Sequence, residues 1–542
     1  MIRRKQTLSL LAAGLLILAA VFAAVGVALP PSGPTLTNVP TANTRSDGYA
    51  PASKLSPQLS QTLVAQGSTR MENSSALTSY YGYNNDVLNS AGNPVMVPTP
   101  TSAGKEAHKT EPDKNTYLVF KQGQGGADAG YDYGTHFLFQ GHEGGAGGAG
   151  YITRINLDAD AAHRVTLLAT ADTSGKPLAT IDGSTWDPWA KRLLFTTENT
   201  GAPTYAATAN FPSAVTDVSG ALGRGGYEGI QNDSDGNIWI VEDVGGSSKP
   251  GTTAKRPNSF VYRYVPKTPG DLQHGKLQAL QVLNGGGTPI TFASQEALNS
   301  PDQLALHTYG TTFKTRWVTI HDTAVDGNAP FVAIDLAKAA NATPFKRPEN
   351  GLFQPGSGFT KFFFDETGDT NATSPENGAA GGWGSIMELS QHDPSANTGT
   401  LTMFFRCDEA HSGLDNVAFL SRDAITFVED AGDTLHGQRN ALDSGFVWNV
   451  EADYSNAANQ PLRWLAEGRD ASATLDAANG GFGSNEGDNE ITGLHVSNGD
   501  PGVNGVLGAK VPNLDSPHWR WFYTQQHGDN RTYEVTLKHH QS

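Results

Sequence analysis

Apolar and polar positions alternate over short distances through most of the chain, and runs with the 3.6-residue spacing of a helix are scarce. Short stretches rich in Val, Ile, Phe, Tyr and Trp are separated by clusters of Gly, Asp, Asn and Pro. Branched and aromatic side chains suit the pleated, half-buried surface of a strand, and the intervening clusters supply turns. The pattern predicts an all-β protein: a sandwich, barrel or propeller.

Two recurrent stretches choose among these. One is a turn, an apolar strand and an acidic residue: DPWAKRLLFTTEN (187–199), NDSDGNIWIVED (232–243), LSRDAITFVED (420–430) and, more loosely, KTRWVTIHD (314–322). The other is a short strand after a loop: YITRINL (151–157), FVYRYV (260–265), FVAIDL (331–336), WGSIMEL (383–389), FVWNVE (446–451) and TYEVTL (532–537). The six copies start between residues 151 and 532, so five intervals share 381 residues, about 76 each. Six units of that length nearly fill the chain from residue 77 onward, which reads as a six-bladed β-propeller with loop insertions. A multi-domain β-sandwich is the alternative. In the propeller, Glu198, Glu242, Asp322 and Glu429 fall at equivalent strand ends; each either closes a turn or joins a carboxylate ring at one face. Gathered carboxylates repel, and hard cations such as Ca²⁺, which takes six to eight oxygens, relieve the repulsion.

The N-terminus adds a different signal. Arg3, Arg4 and Lys5 precede an uncharged, mostly apolar run from Gln6 to Leu29. Residues 1–29 therefore read as an export signal peptide or a signal anchor, residues 30–72 as a Pro/Ser/Thr-rich linker, and residues 73–542 as the propeller. This predicts an exported monomer, secreted, periplasmic or anchored at the cell surface, whose membrane contact is confined to that first segment.

Charge and composition narrow the function. With 37 Lys plus Arg against 54 Asp plus Glu, the formal charge is −17, which argues against nucleic-acid partners, whose phosphates need a basic footprint. The single cysteine, Cys407, excludes an internal disulfide and a Cys/His zinc cluster, and reads as a buried thiol. There is no G-x-S-x-G elbow and no H-E-x-x-H helix. NDSDGN (232–237) reads as a hairpin turn rather than a calcium loop.

Several further stretches follow one another: YGYNND (81–86), FLFQGHEGG (137–145), STWDPWAKRLLFTTEN (184–199), GRGGYEG (223–229), RPE (347–349), EITG (490–493) and QHGD (526–529). In this order they resemble the motifs of the PhoX family of exported alkaline phosphatases, over about residues 77 to 540. The resemblance implies a six-bladed propeller with a calcium and iron cluster in its central channel, a metal-activated oxygen nucleophile and a small phosphate-ester substrate. Carried onto this chain, it implies Glu143, Glu198, Glu228, Glu349 and Glu490 as metal ligands and Arg347 as the phosphate clamp. Asp415, in a DNVAF turn seen in this family and in calcium-dependent lactonases, is a further metal candidate; His527 is either an acid catalyst or a loop hydrogen bonder. The family's iron ligand is a cysteine just before the GTW-like strand. Here that segment reads ATIDGSTW (179–186), with Asp182 as the nearest replacement, and a carboxylate favours Ca²⁺ over Fe³⁺. Two other functions remain open: a calcium-stabilised binding module without phosphatase activity, and a calcium lactonase-like hydrolase.

Overall fold

A computed structural model describes residues 33–45, 52–96, 107–122, 124–144, 148–291, 300–370, 378–468, 490–526 and 528–538. Two N-terminal strands, β1 (Lys54–Leu55) and β2 (Leu59–Ala65), precede a hairpin of β3 (Thr78–Tyr80) and β4 (Tyr83–Asn84). Antiparallel four-stranded units follow. Unit I is β5 (Thr110–Val119), β6 (His136–Gly144), β7 (Tyr151–Asn156) and β8 (Val165–Ala169). Unit II is β9 (Ser184–Asp187), β10 (Arg192–Phe195), β11 (Tyr205–Ala207) and β12 (Val215–Asp217). Unit III is β13 (Tyr227–Asn232), β14 (Ile238–Glu242), β15 (Val261–Pro266) and β16 (Gly275–Leu283). The long β17 (Thr312–Asp322) then bridges to unit IV, which is β18 (Gly351–Phe353), β19 (Lys361–Glu366), β20 (Ser385–Gln391) and β21 (Thr398–Arg406). Unit V is β22 (Leu414–Phe419), β23 (Ala424–Glu429), β24 (Ser444–Asn449) and β25 (Leu462–Ala466), edged by β1. Unit VI is β26 (Glu490–Ser497), β27 (Arg520–Gln526) and β28 (Arg531–Leu537), completed by β2.

The first strands of these units touch in one circuit, β5 to β9, β13, β18, β22, β26 and back to β5. Each junction between neighbouring units carries its own apolar cluster, as expected where sheets pack face to face. Trp464 of unit V meets Trp521 of unit VI with ring centroids 4.4 Å apart, and Trp239 of unit III meets Phe362 of unit IV at 5.0 Å. Cys407 lies buried in the cluster between units IV and V, beside Leu414 and Phe405.

Several elements differ from the sequence reading. Five of the six recurrent stretches are third strands: β7, β15, β20, β24 and β28. The sixth, FVAIDL, instead leads into a helix, Ala333–Ala339, because AIDLAKA is alanine-rich and loses little side-chain freedom in a helix. The third strand of unit II, β11, has only the three residues YAA and offers no apolar run. β17 pairs with both β16 and β21, so units III and IV form one nine-stranded sheet. Asp322 ends β17 rather than a second strand; it accepts a hydrogen bond from the Ala324 N–H at 3.0 Å and pairs with Lys276 at 3.3 Å. The segment whose composition reads as a linker contributes β1 and β2, because LSQTLVA alternates well enough to pair with β28 from Leu59 to Ala65. Residues 1–32 lie outside the described residues, and no helix among the described residues is long and apolar enough to cross a membrane.

The connection from β26 to β27 passes the ends of five of the first strands. Its Val506 and Leu507 face Leu118 of β5, Trp186 of β9, Leu352 of β18, Phe419 of β22 and Val496 of β26. Trp186 Nε1 donates to Pro501 O at 2.8 Å. These are the C-terminal ends of the first strands.

Candidate metal centre

The N-terminal ends of the same strands carry acidic residues. Asp113 on β5, Glu228 on β13 and Asp415 on β22 each sit where the first strand slips register against the second. A bulge leaves an extra residue unpaired and re-aims its side chain, which is how three strands turn a carboxylate toward a shared centre. The equivalent slip in β26 holds Gly493 and Leu494. In units II and IV the acids Asp182 and Glu349 stand just before the strand. Gly183 lets this happen: a Cβ there would meet Glu228 O at 2.0 Å.

Second strands add a second set. The Asp243 N–H donates to Gly226 O at 2.8 Å and the Asp430 N–H to Gly413 O at 2.7 Å, so the two acids occupy matching places one residue past the ends of β14 and β23. Successive side chains point to opposite faces of a strand. Their neighbours Glu242 and Glu429 therefore turn away. Glu242 accepts from the Tyr262 hydroxyl at 2.8 Å, and Glu429 pairs with Arg439 at 2.8 Å. Glu242 and Glu429, expected at equivalent strand ends, are indeed equivalent, but it is the following Asp243 and Asp430 that face the centre.

Among the described residues three overlapping groups result: Asp113, Glu143 and Asp182; Asp182, Glu198 and Glu228; Glu228, Asp243 and Glu349. Within each, the ligand atoms lie within 4.8 Å of one another. Asp182 and Glu228 each belong to two groups. Most members are buried, with Glu198 exposed at one edge. Burial pushes the Glu228 carboxyl well above the usual range, and Asp182 and Glu349 push it further. Glu143 rises for the same reason, with Glu198 and Asp182 as its neighbours. Asp415 rises to about 7 through burial and Asp113. So many ionisable acids at this spacing call for positive charge. Asp365, fully buried on β19, presents an Oδ2 with no partner in the protein. The donors are carboxylate oxygens throughout, which fits hard cations, and the buried Cys407 thiol is not among them.

Arg347 bounds the groups on the unit IV side. Its backbone is left-handed, with φ of 59°, a conformation costly for a branched polar residue and common at functional sites. That geometry lets Nε donate to Asp243 Oδ1 at 2.7 Å and Nη1 donate to Thr370 Oγ1 at 2.8 Å, while Nη2 reaches Glu349 Oε1 at 3.6 Å. Burial opposes its charge, but Asp243 and Glu349 outweigh burial and hold the guanidinium protonated.

Of the residues predicted from sequence, Glu143, Glu198, Glu228 and Glu349 come together in the groups, as does Asp182. Asp415 lies in the same basin but outside them; Glu490 stands at the start of β26, where its charge acts on Asp430. His527 lies outside the described residues. The YGYNND stretch builds the β3–β4 hairpin: the Tyr81 hydroxyl shares a hydrogen bond with Thr532 Oγ1 at 2.8 Å. Sequence reading missed Asp113, Asp243, Asp365, Asp430 and Lys114. The signal was present for two of them, since IVED and FVED each end on a pair of acids and strand alternation selects the second.

Residues 251–497 match the family model described as alkaline phosphatase PhoX. No curated protein matches the chain by sequence. Among solved structures, Pseudomonas fluorescens PhoX in complex with vanadate, a transition state analogue, is similar with a TM-score of 0.53 and 10% identity over 93% of this chain and 98% of that one. A fungal alcohol oxidase of the AA5 family in complex with copper reaches 0.33 with 9% identity over 78% of this chain and 76% of that one, too weak a likeness to bear on the site. At 10% identity the first likeness speaks for the fold, and the family model speaks for the sequence of nearly half the chain. By both measures the chain is PhoX-like.

Proposed function

We propose that this protein is an exported, metal-dependent phosphoric-ester hydrolase of PhoX type, built as a six-bladed propeller around the carboxylate ring. The closed circuit of first strands and the six junction clusters support the propeller. The charged N-terminus followed by an apolar run supports export. The observation that carries the activity is the line of seven carboxylates in three overlapping groups with Arg347 tied to its end, in a PhoX-like chain.

Asp113, Glu143, Asp182, Glu198, Glu228, Asp243 and Glu349 would hold the cations. Bound divalent cations would supply an activated water at neutral pH and neutralise charge on phosphoryl oxygens. The rest of the work falls to the chain itself. Arg347 would offer its Nη1 and Nη2 side to a phosphate, while Asp243 holds the Nε and Nη2 edge and fixes the guanidinium plane. The Val506–Leu507 connection lies at the far ends of the first strands, away from the carboxylates. The all-oxygen donor set suits hard cations such as Ca²⁺, with Asp182 standing where the family's cysteine would.

Purified protein supplied with Ca²⁺, with and without Fe³⁺, is expected to hydrolyse a simple aryl phosphate, and Glu349→Gln is expected to abolish turnover. Absence of turnover under every metal condition, with Ca²⁺ bound, would instead leave a calcium-stabilised binding module.

A further inference from the structure

The ring's carboxylates meet two kinds of partner. From unit I to unit IV, carboxyl faces carboxyl: oxygens of Asp113, Glu143 and Asp182, of Asp182, Glu198 and Glu228, and of Glu228, Asp243 and Glu349 lie within 4.8 Å of one another. All three groups able to hold a cation among the described residues lie on this arc, and none includes Asp365, Asp415 or Asp430. Across units V and VI, the protein supplies its own donors. Asn350 Nδ2 donates to Asp415 Oδ1 at 3.1 Å, and Gln526 Nε2 donates to Asp113 Oδ2 at 3.3 Å.

The same side of the ring also holds a buried ammonium, that of Lys114. It follows Asp113 in the β5 bulge and is only 2% exposed. Its ammonium crosses to donate to Leu494 O of unit VI at 2.9 Å and to Val417 O of unit V at 3.4 Å. The carboxylates whose charge acts on it are Asp415, Asp113, Asp365 and Asp182.

We propose that Lys114 is a built-in cation of the ring: its ammonium takes the place a divalent ion would otherwise hold beside units V and VI, and so confines metal binding to the arc that runs from Asp113 to Glu349. The inference rests on the metal-binding reading above. Without the ammonium, the carbonyls of Val417 and Leu494 and the carboxylates of Asp113 and Asp415 form an oxygen set of the kind Ca²⁺ takes. With it, a second cation at that place meets like charge in a buried setting.

The test is calorimetric titration of Ca²⁺ into EDTA-stripped full-length protein, with elemental analysis at saturation, for the unsubstituted chain, Lys114→Met and Lys114→Arg. The Met variant is expected to take one more Ca²⁺ per chain than the unsubstituted protein, and the Arg variant the same number. An unchanged number in Lys114→Met overturns the inference while the metal-binding reading stands. No Ca²⁺ bound by the unsubstituted chain overturns that reading and the inference with it. If Lys114→Met is unfolded without metal, thermal melts decide: folding restored by Ca²⁺ supports the built-in cation, and folding not restored by Ca²⁺ refutes it.

Discussion

Arg347 and Asp243 are joined through two nitrogens: Nε lies 2.7 Å from Oδ1 and 2.9 Å from Oδ2 of the carboxylate, and Nη2 also donates to Oδ2. The pair links a left-handed turn before β18 to the residue that follows β14, so units III and IV meet at this point through charge as well as through packing. Replacing Arg347 by Met is expected to lower kcat/KM for an aryl phosphate by about 10- to 100-fold, the scale of a lost charge-assisted hydrogen bond of about 1.5–3 kcal/mol. Lys at the same position is not expected to restore it, because an ammonium lacks the fork. Steady-state kinetics on the three proteins checks this.

Sharing within the ring sets a ranking of metal loss. Asp182 and Glu228 each serve two groups, whereas Glu143 serves one. Glu228→Gln and Asp182→Asn should therefore lower bound Ca²⁺ by more than Glu143→Gln, as read by elemental analysis after dialysis. Equal losses in all three would contradict the shared arrangement.

Position 182 also offers a test of metal preference. Thiolates select softer metals than carboxylates do. Asp182→Cys is expected to raise the ratio of iron to calcium retained when both are supplied, with the protein still folded by circular dichroism.

Acid titration gives a sign that can be worked out. In the metal-free protein burial, with Asp113, raises the Asp415 carboxyl to about 7, against about 3.9 for an unperturbed aspartate. A raised carboxyl favours the folded state while it is protonated, so its contribution is full below about pH 4 and is lost as pH climbs toward 7. Glu228 and Glu143 shift in the same direction. The melting temperature of chelated protein should fall across this window, and the gap to Ca²⁺-loaded protein should widen with pH. A gap independent of pH would speak against cations in the ring.

Gly183 is required by close approach rather than by backbone twist. A methyl group there would stand 2.0 Å from Glu228 O. Gly183→Ala should cost roughly 1–3 kcal/mol, the usual scale of overpacking, and lower the melting temperature even with metal present.

How far the sequence carried the fold can be followed through single segments. Strands such as YITRIN and the TYEV of β28 are legible because branched and aromatic residues alternate between turn signals. β11 is not, since Tyr205–Ala207 is held by pairing to β10 and by burial, not by its own propensity. FVAIDL looks like a strand until the alanines that follow are weighed. In the site, Glu143, Glu198, Glu228 and Glu349 were reached through motif resemblance, whereas Asp113 and Lys114 were not. EPDKN carries no motif, and only the register slip in β5 aims both side chains inward.

Val506 and Leu507, described above at the C-terminal ends of the first strands, meet strands of units I, II, IV, V and VI at once. One connection near the end of the chain therefore ties five sheets together, so a change that loosens it is felt around the whole circuit rather than in one unit.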